Sequence, residues 1–396
     1  MATYSERNSA PVPTSIIIAK DGQSLNPNWA DIVIPSTSTS DETYINQAIN
    51  DLPAAGGKIT LLEGIYTIDG SILPLSNVTI EGNDYSTEIR VMDNINAHVY
   101  MLDMNAKTNV TIKNLKLNGN KTNRVGGNQE CIRLINCSYC NIEKVYCTDV
   151  FTCAIEASGT TYSEYKNCIF VNTASTSRAD IYLTAACNWN IVTGNIIYNS
   201  SQPGIYLHTN TCYNLVLNNI INTVTVGVDM LTNSNYNVIV GNFIDNATSY
   251  SLYSTNCSRN IISNNNIIRG VYGIYWIGGE YNVINENRIA LSNQHGMFIQ
   301  SAPNNQISSN FVSEVSQQTN NTYDCIIIDS NSDSNNVQAN TCRRGSLANQ
   351  ARFGINVANA NCDTNLVTNN DLLNSGVTGS LNDAGTGTVT AAGNRL

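Results

Sequence analysis

The 396-residue sequence predicts an all-β solenoid, a stack of short coils with one helix capping its N-terminal end. Three observations predict it. A short phrase recurs between residues 190 and 310: Gly204-Ile-Tyr-Leu207 precedes Asn214-Leu-Val-Leu-Asn-Asn219, Gly227-Val-Asp-Met230 precedes Asn237-Val-Ile-Val-Gly-Asn242, and Gly273-Ile-Tyr-Trp276 precedes Asn282-Val-Ile-Asn-Glu-Asn287. Two asparagine series run in lockstep, at 190, 214, 237, 260, 282, 305, 335 and 365 and, five residues behind, at 195, 219, 242, 265, 287, 310, 340 and 370. Both advance by the same steps of 24, 23, 23, 22, 23, 30 and 30. Within each unit the apolar residues alternate, as in Ile205/Leu207 and Leu215/Leu217, which is the period of a half-buried strand. A unit this short cannot bury its apolar residues alone. Successive units must therefore stack, each strand pairing with its equivalent one coil away at roughly 4.8 Å.

Asparagine suits the bends because its amide tolerates left-handed backbone, and identical amides in register can bond along the stack. Both series are read as structural. Cysteines at 187, 212, 257 and 362 recur just before the first series, and Cys137 and Cys140 precede Asn141 in the same way, so they are expected to form a buried thiol ladder. The C-x-x-C spacing at 137–140 has no second pair or histidine cluster beside it, and no metal is expected.

Charged residues make up 13% of the chain and the net charge is -10. That balance argues against nucleic acid as a partner and for a neutral or weakly polar ligand. No apolar run reaches membrane-span length, so no membrane insertion is expected. The first residues, Met1 to Glu6, lack the charged and apolar regions of a secretory leader. Residues 1–57 read as an N-terminal segment with a capping helix, and residues 58–396 as the solenoid. Ile16–Ile18 and residues 32–34 are candidate strands. Residues 39–52 read as the helix, with Thr39 and Glu42 at capping-box spacing and Tyr44, Ile45, Ala48, Ile49 and Leu52 on one face. Strands are expected at 58–62, 66–68 and 77–80, and a last short one at 388–390.

Asp41-Glu-Thr-Tyr-Ile-Asn-Gln-Ala-Ile49, Gly56-Gly-Lys-Ile-Thr-Leu-Leu-Glu-Gly-Ile-Tyr66 and Leu75-Ser-Asn-Val-Thr-Ile-Glu-Gly82 resemble the opening of pectate-lyase-superfamily chains, a group that includes phage tailspike-like and polysaccharide-modifying proteins. The later repeats resemble the coils of the same superfamily. The resemblance implies a right-handed, single-stranded parallel β-helix with a polysaccharide laid along one outer face, outside the cell or on a virion, as monomer or homotrimer. It is specific for fold. The Asn-Thr-Asp, Asp-Asp, Gly-His-Gly and Arg-Ile-Lys motifs of its polygalacturonases and the Asp-Pro-His motif of alginate epimerases do not occur in this chain, so no reaction is carried over.

Stacking the Gly-Ile-Tyr-Leu strands gives one outward row, Glu156, Tyr182, Tyr206, Asp229, Tyr253, Tyr275 and Phe298, beside a second containing Thr184, His208, Leu231 and Gln300. A flat aromatic platform with hydroxyl rims suits sugar rings, although outward tyrosine is also simply a good strand former. Asp180, Asp229, Glu156, His208 and Tyr206 are the candidate catalytic residues. Asp180 and Asp229 lie two coils apart and could serve as the acid and base of glycoside hydrolysis. Alternatively, His208 or Tyr206 could abstract a proton beside a uronate carboxylate, with Arg178 or a calcium ion neutralising it. Otherwise no cofactor is expected. A non-catalytic adhesin or structural protein is the competing reading. Both 30-residue steps expand the same corner, at 313–324 and 342–352, so the enlarged loops should form a wall beside the outer face. Arg343, Arg344 and Arg352 lie in the second loop and could meet an anionic sugar.

Overall fold

The computed structural model describes residues 13–127, 129–173, 178–390 and 393–396. The reading of residues 1–6 as lacking a leader lies outside the described residues. Every strand pairing is parallel, and each strand meets its counterparts in the coils before and after. A complete coil holds three short strands, for example Ile205–His208, Leu215–Leu217 and Ile220–Asn222. The first strand of each coil builds a front sheet of twelve strands, from Val99–Asn105 to Gly379–Asp383. The architecture is a right-handed parallel β-helix.

The alternation read from the sequence sets the two faces of each front strand. Ile205 and Leu207 are fully buried while Tyr206 and His208 point outward. Stacked in this way, the inward side chains merge into one apolar core that runs from Ile16 to Leu372. Each such Ile or Leu taken out of water contributes about 1.5–3 kcal/mol.

The two asparagine series hold the bends between strands. The backbone N–H and side-chain Nδ2 of Asn219 both donate to Oδ1 of Asn242, each at 3.0 Å, and its Nδ2 also donates to the carbonyl of Val192 at 3.0 Å. Asn242 repeats the pattern on Asn265, and the second series continues one coil further, from Asn370 to Asn394. In earlier coils Ser163 and Cys168 stand where the asparagines later stand, each donating its backbone N–H to Asn190 or Asn195. Donors and acceptors that a tight turn would otherwise leave orphaned in the interior are thus satisfied by the next coil.

All twelve cysteines are free thiols, and eleven are buried. Cys212 departs from the expected ladder and is half-exposed. Cys187, Cys257 and Cys362 stand three residues before their asparagine and point inward, whereas Cys212 stands two before Asn214, and Thr211 takes the inward place.

The N-terminal region differs from expectation in detail. The parallel sheet reaches back across residue 57, because strand Ser15–Lys20 pairs with both Ile32–Ile34 and Gly57–Leu61. Helix α1 (Glu42–Asn50) closes the core with Ile45, Ala48 and Ile49, joined by Leu52. The Thr39/Glu42 capping box does not form. Asp41 stands at the N-cap without a side-chain cap bond. Its carboxylate instead takes the buried Lys20 ammonium at 2.7 Å and the Thr67 N–H at 2.8 Å, tying helix to sheet. At the other end Val389 makes only an isolated bridge to Leu366, and the last strand is Gly379–Asp383.

Candidate functional site: the outer face of the front sheet

The outward row exists as read. Glu156 registers with Tyr182, Tyr182 with Tyr206, Tyr206 with Asp229, Asp229 with Tyr253, Tyr253 with Tyr275, and Tyr275 with Phe298. The column begins earlier, with Asp103 and Arg133, and continues through Ile327 to Asn356. Three groups lie along it.

The first group is acidic. Glu130 and Glu156 both receive Arg178, whose Nη1 stands 3.3 Å from Glu130 Oε1 and in closer contact with Glu156 Oε2. Glu130 is 1% exposed, and its Oε2 has no partner among the described residues. Burial pushes its pKa up to about 9, aided by the neighbouring Glu156 carboxylate, against the pull of Arg178. A proton therefore stays on Glu130 at neutral pH, next to a second carboxyl group. Sequence inspection missed Glu130. It precedes Arg133 of the outward row by three residues, and its pairing with Glu156 depends on how two coils overlap.

The second group is centred on Tyr206. Tyr182 and Tyr206 rings lie 5.3 Å apart, His208 lies 5.1 Å from Tyr206, and the Tyr182 hydroxyl meets His208 Nδ1 at 3.2 Å. The Arg178 guanidinium stands 5.8 Å from the Tyr182 ring. Burial lowers the His208 pKa, so the imidazole is neutral at pH 7 and can accept a proton. Burial and the neighbouring Asp229 push the Tyr206 hydroxyl well above its ordinary range, which makes it a poor base. Asp229 itself is 7% exposed between Tyr206 and Tyr253, and its Oδ1 has no partner among the described residues. Burial alone raises its pKa to about 7. A hollow of about 370 Å³ opens beside it, lined by Leu231, Thr232, Asn233, Tyr253, Thr255 and Asn256.

The third group is aromatic. Tyr275 lies parallel to Phe298, with centroids 4.9 Å apart and planes within 2°. A column one step toward the strand starts supplies Tyr250, Tyr272 and His295, packed against Tyr253, Tyr275 and Phe298. That column went unread because its members precede the glycine or serine that opens the repeated phrase. The expected wall is present: Asn349 and Gln317 exchange side-chain-to-backbone bonds between the two enlarged loops, and Arg352 N–H donates to the Tyr323 carbonyl at 2.7 Å.

Three expected residues do not join this face. Asp180 is fully buried, because at the position where other coils place glycine there is no outward space. Its carboxyl turns to Thr173 and Ser200, and burial raises its pKa to about 7. Asp180 and Asp229 therefore do not share a cleft. Arg343 lies on the third strand of its coil and is locked to the carboxylate and carbonyl of Asp371. Arg344 follows it there, with its N–H on the Asn374 carbonyl. Arg352 does reach the front, where it clamps Asp324.

The site is a long, aromatic, partly acidic face on a parallel β-helix, the class of architecture to which glycan-acting proteins of known structure are also similar. A family model described as NosD, periplasmic copper-binding protein, matches residues 150–289. Among the described residues no three His, Cys, Asp or Glu side chains are grouped so as to hold a metal ion, so the residues present do not fit a copper centre. The structure is similar to the A-module of the Azotobacter vinelandii mannuronan C-5 epimerase AlgE4, with TM-score 0.60 and 16% identity over 89% of this chain and 96% of that one. It is similar also to the tailspike protein of E. coli bacteriophage HK620, solved with a hexasaccharide, with TM-score 0.65 and 11% identity over 91% and 78%. The catalytic domain of a GH87 alpha-1,3-glucanase, solved with tetrasaccharides, matches with TM-score 0.53 and 13% identity over 98% and 70%. No curated protein matches by sequence. At these identities the likeness establishes the fold.

Proposed function

We propose that the protein binds a polysaccharide lengthwise along the front sheet. The observation that carries this reading is the half-exposed aromatic column from Tyr182 to Phe298, held rigid by strand register and broken only by Asp229. Rings held at the coil spacing offer apolar faces with hydroxyl rims, which is what a pyranose presents in return. The similarity to structures solved with oligosaccharides supports it. Retardation of the protein in gels cast with a panel of neutral and acidic polysaccharides tests the reading. At least one glycan should bind the wild type and bind Tyr182→Ala and Tyr253→Ala less well. Equal retardation of all three proteins by every bound glycan would sink it.

A second reading, hydrolysis, is favoured by one arrangement: Arg178 gathers the carboxyl groups of Glu130 and Glu156, and burial raises the pKa of Glu130. In that reaction Glu130 donates its proton to the leaving glycosidic oxygen as the C–O bond breaks. Glu156 takes a proton from the water that attacks the anomeric carbon. The incoming sugar and water must first displace Arg178 from between the two carboxyl groups. New reducing ends should then appear with wild type and fall at least a hundredfold in Glu130→Gln or Glu156→Gln, the usual share of acid–base catalysis. Unsaturated uronate products instead of new reducing ends from hydrolysis would point to elimination at His208. No product with retained binding would leave a non-catalytic adhesin.

A further inference from the structure

Beyond Tyr253 the front face deepens into a bowl with its own chemistry. Its floor is Tyr272, Tyr275 and Phe298, with Tyr272 and Tyr275 stacked at 5.0 Å. His295 packs against Phe298 at 5.3 Å, and Tyr323, from the first enlarged loop, stands edge-on to His295 at 5.1 Å and 82°. Below the rings lies Asp324, fully buried. Both its oxygens are filled: Arg352 donates Nε to Oδ1 at 3.0 Å and Nη2 to Oδ2 at 2.7 Å, and Asn356 Nδ2 donates to Oδ2 at 2.9 Å. Arg352 and Asp324 cancel one another, and the remaining charge felt by the rings is the negative one of Asp329.

His295 adds a directional donor to the tyrosine hydroxyls. Its Nδ1 accepts the Asp324 backbone N–H at 3.0 Å, so the neutral ring carries its proton on Nε2. Burial holds the ring neutral by lowering its pKa to about 4. That Nε2–H meets no acceptor among the described residues, and the side chain is 11% exposed. Rimmed by aromatic faces, this donor can meet an acceptor that arrives with a ligand.

We propose that the bowl of Tyr272, His295, Phe298 and Tyr323 is a subsite for an uncharged sugar unit of the bound glycan, which stacks on the rings and accepts the His295 Nε2–H on a hydroxyl. A carboxylate-bearing sugar is disfavoured there. Desolvating its charge requires a cation, and Arg352 already gives two donors to Asp324. The inference rests on the proposed front-face binding and names the sugar class at one end of it.

The test is affinity electrophoresis in gels containing neutral polysaccharides (pullulan, galactomannan, galactan) or polyuronates (polygalacturonate, alginate). His295→Phe keeps the ring and removes the donor; Tyr323→Ala opens the wall and spares His295. Both should weaken binding to a neutral polysaccharide about tenfold, roughly one hydrogen bond or one stacked ring, with unchanged far-ultraviolet circular dichroism. If both variants bind as wild type while Tyr182→Ala binds less, the bowl is not a subsite and front-face binding stands. Binding confined to polyuronates also overturns the subsite. Failure to bind any probe, or indifference to Tyr182→Ala as well, removes the front-face reading itself.

Discussion

At the scale of single residues, the most telling group is Asp229. Its carboxyl is almost wholly buried between two tyrosines, with one oxygen unpartnered among the described residues, and its pKa is raised from 3.8 to about 7. Because the folded pKa lies above the unfolded one, the unfolded chain gives up this proton first. The stability this group contributes is complete below about pH 4 and is lost as pH rises to 7, by about 4 kcal/mol at most. Tyr206 and Tyr253 flank it in the column. Asp229→Asn keeps the shape and removes the ionisation. Thermal unfolding should show the variant more stable than wild type at pH 8 and nearly equal at pH 4. Equal stability at pH 8 would mean the carboxyl is hydrated. The row containing Asp229 was legible because strand alternation is a local rule. Asp180 was misplaced by the same rule, since its position turns inward wherever the coil tightens to glycine.

At the scale of the repeated element, asparagine does the work that capping does in helices. Asn242 gives its N–H and Nδ2 to Asn265, gives Nδ2 also to the Val216 carbonyl, and receives both donors of Asn219. Asn242→Ala leaves several of these groups buried and unpaired, at about 1–3 kcal/mol each. A loss near 3 kcal/mol or more is expected in urea unfolding, against less than about 0.5 kcal/mol for the exposed Asn293→Ala. Comparable small losses in both would show that water replaces the ladder bonds. A second ladder lies just outside it. Tyr139, Tyr162, Trp189, Tyr213 and Tyr236 each precede a ladder position, all with positive φ, and their rings stack within 10° at 4.9 to 5.3 Å. Left-handed backbone costs a bulky residue about 1–2 kcal/mol. Ring-on-ring stacking offsets part of that at each step. Trp189→Gly, which removes the strain together with the stacking, should therefore destabilise by no more than about 1 kcal/mol in the same urea assay. A much larger loss would assign the stack a stronger role. This ladder escaped sequence inspection because large aromatics are not turn residues by propensity. Only the register of seven coils reveals them.

At the scale of the whole molecule, one pattern of seven steps was enough to specify the stack and its outer row. Period and alternation are properties of the sequence itself. The chemistry on the face is not, because it depends on which coil overlies which. Glu130 meets Glu156 across 26 positions, and His295 meets Asp324 across an enlarged loop. Arg343 and Arg352 sit in one loop yet end on different faces. The chain has a net charge of -10, and no helix among the described residues is long and apolar enough to cross a membrane; the partner proposed for the front face is a polar, extended glycan. Equilibrium titration of the wild type and of the Tyr253→Ala/Tyr275→Ala double variant with the polysaccharide that binds best tests this most directly. The account predicts at least about a fivefold weaker complex for the double variant, from two lost stacking contacts of about 0.5–1.5 kcal/mol each, with the fold intact by circular dichroism. An unchanged affinity in a folded double variant would contradict it.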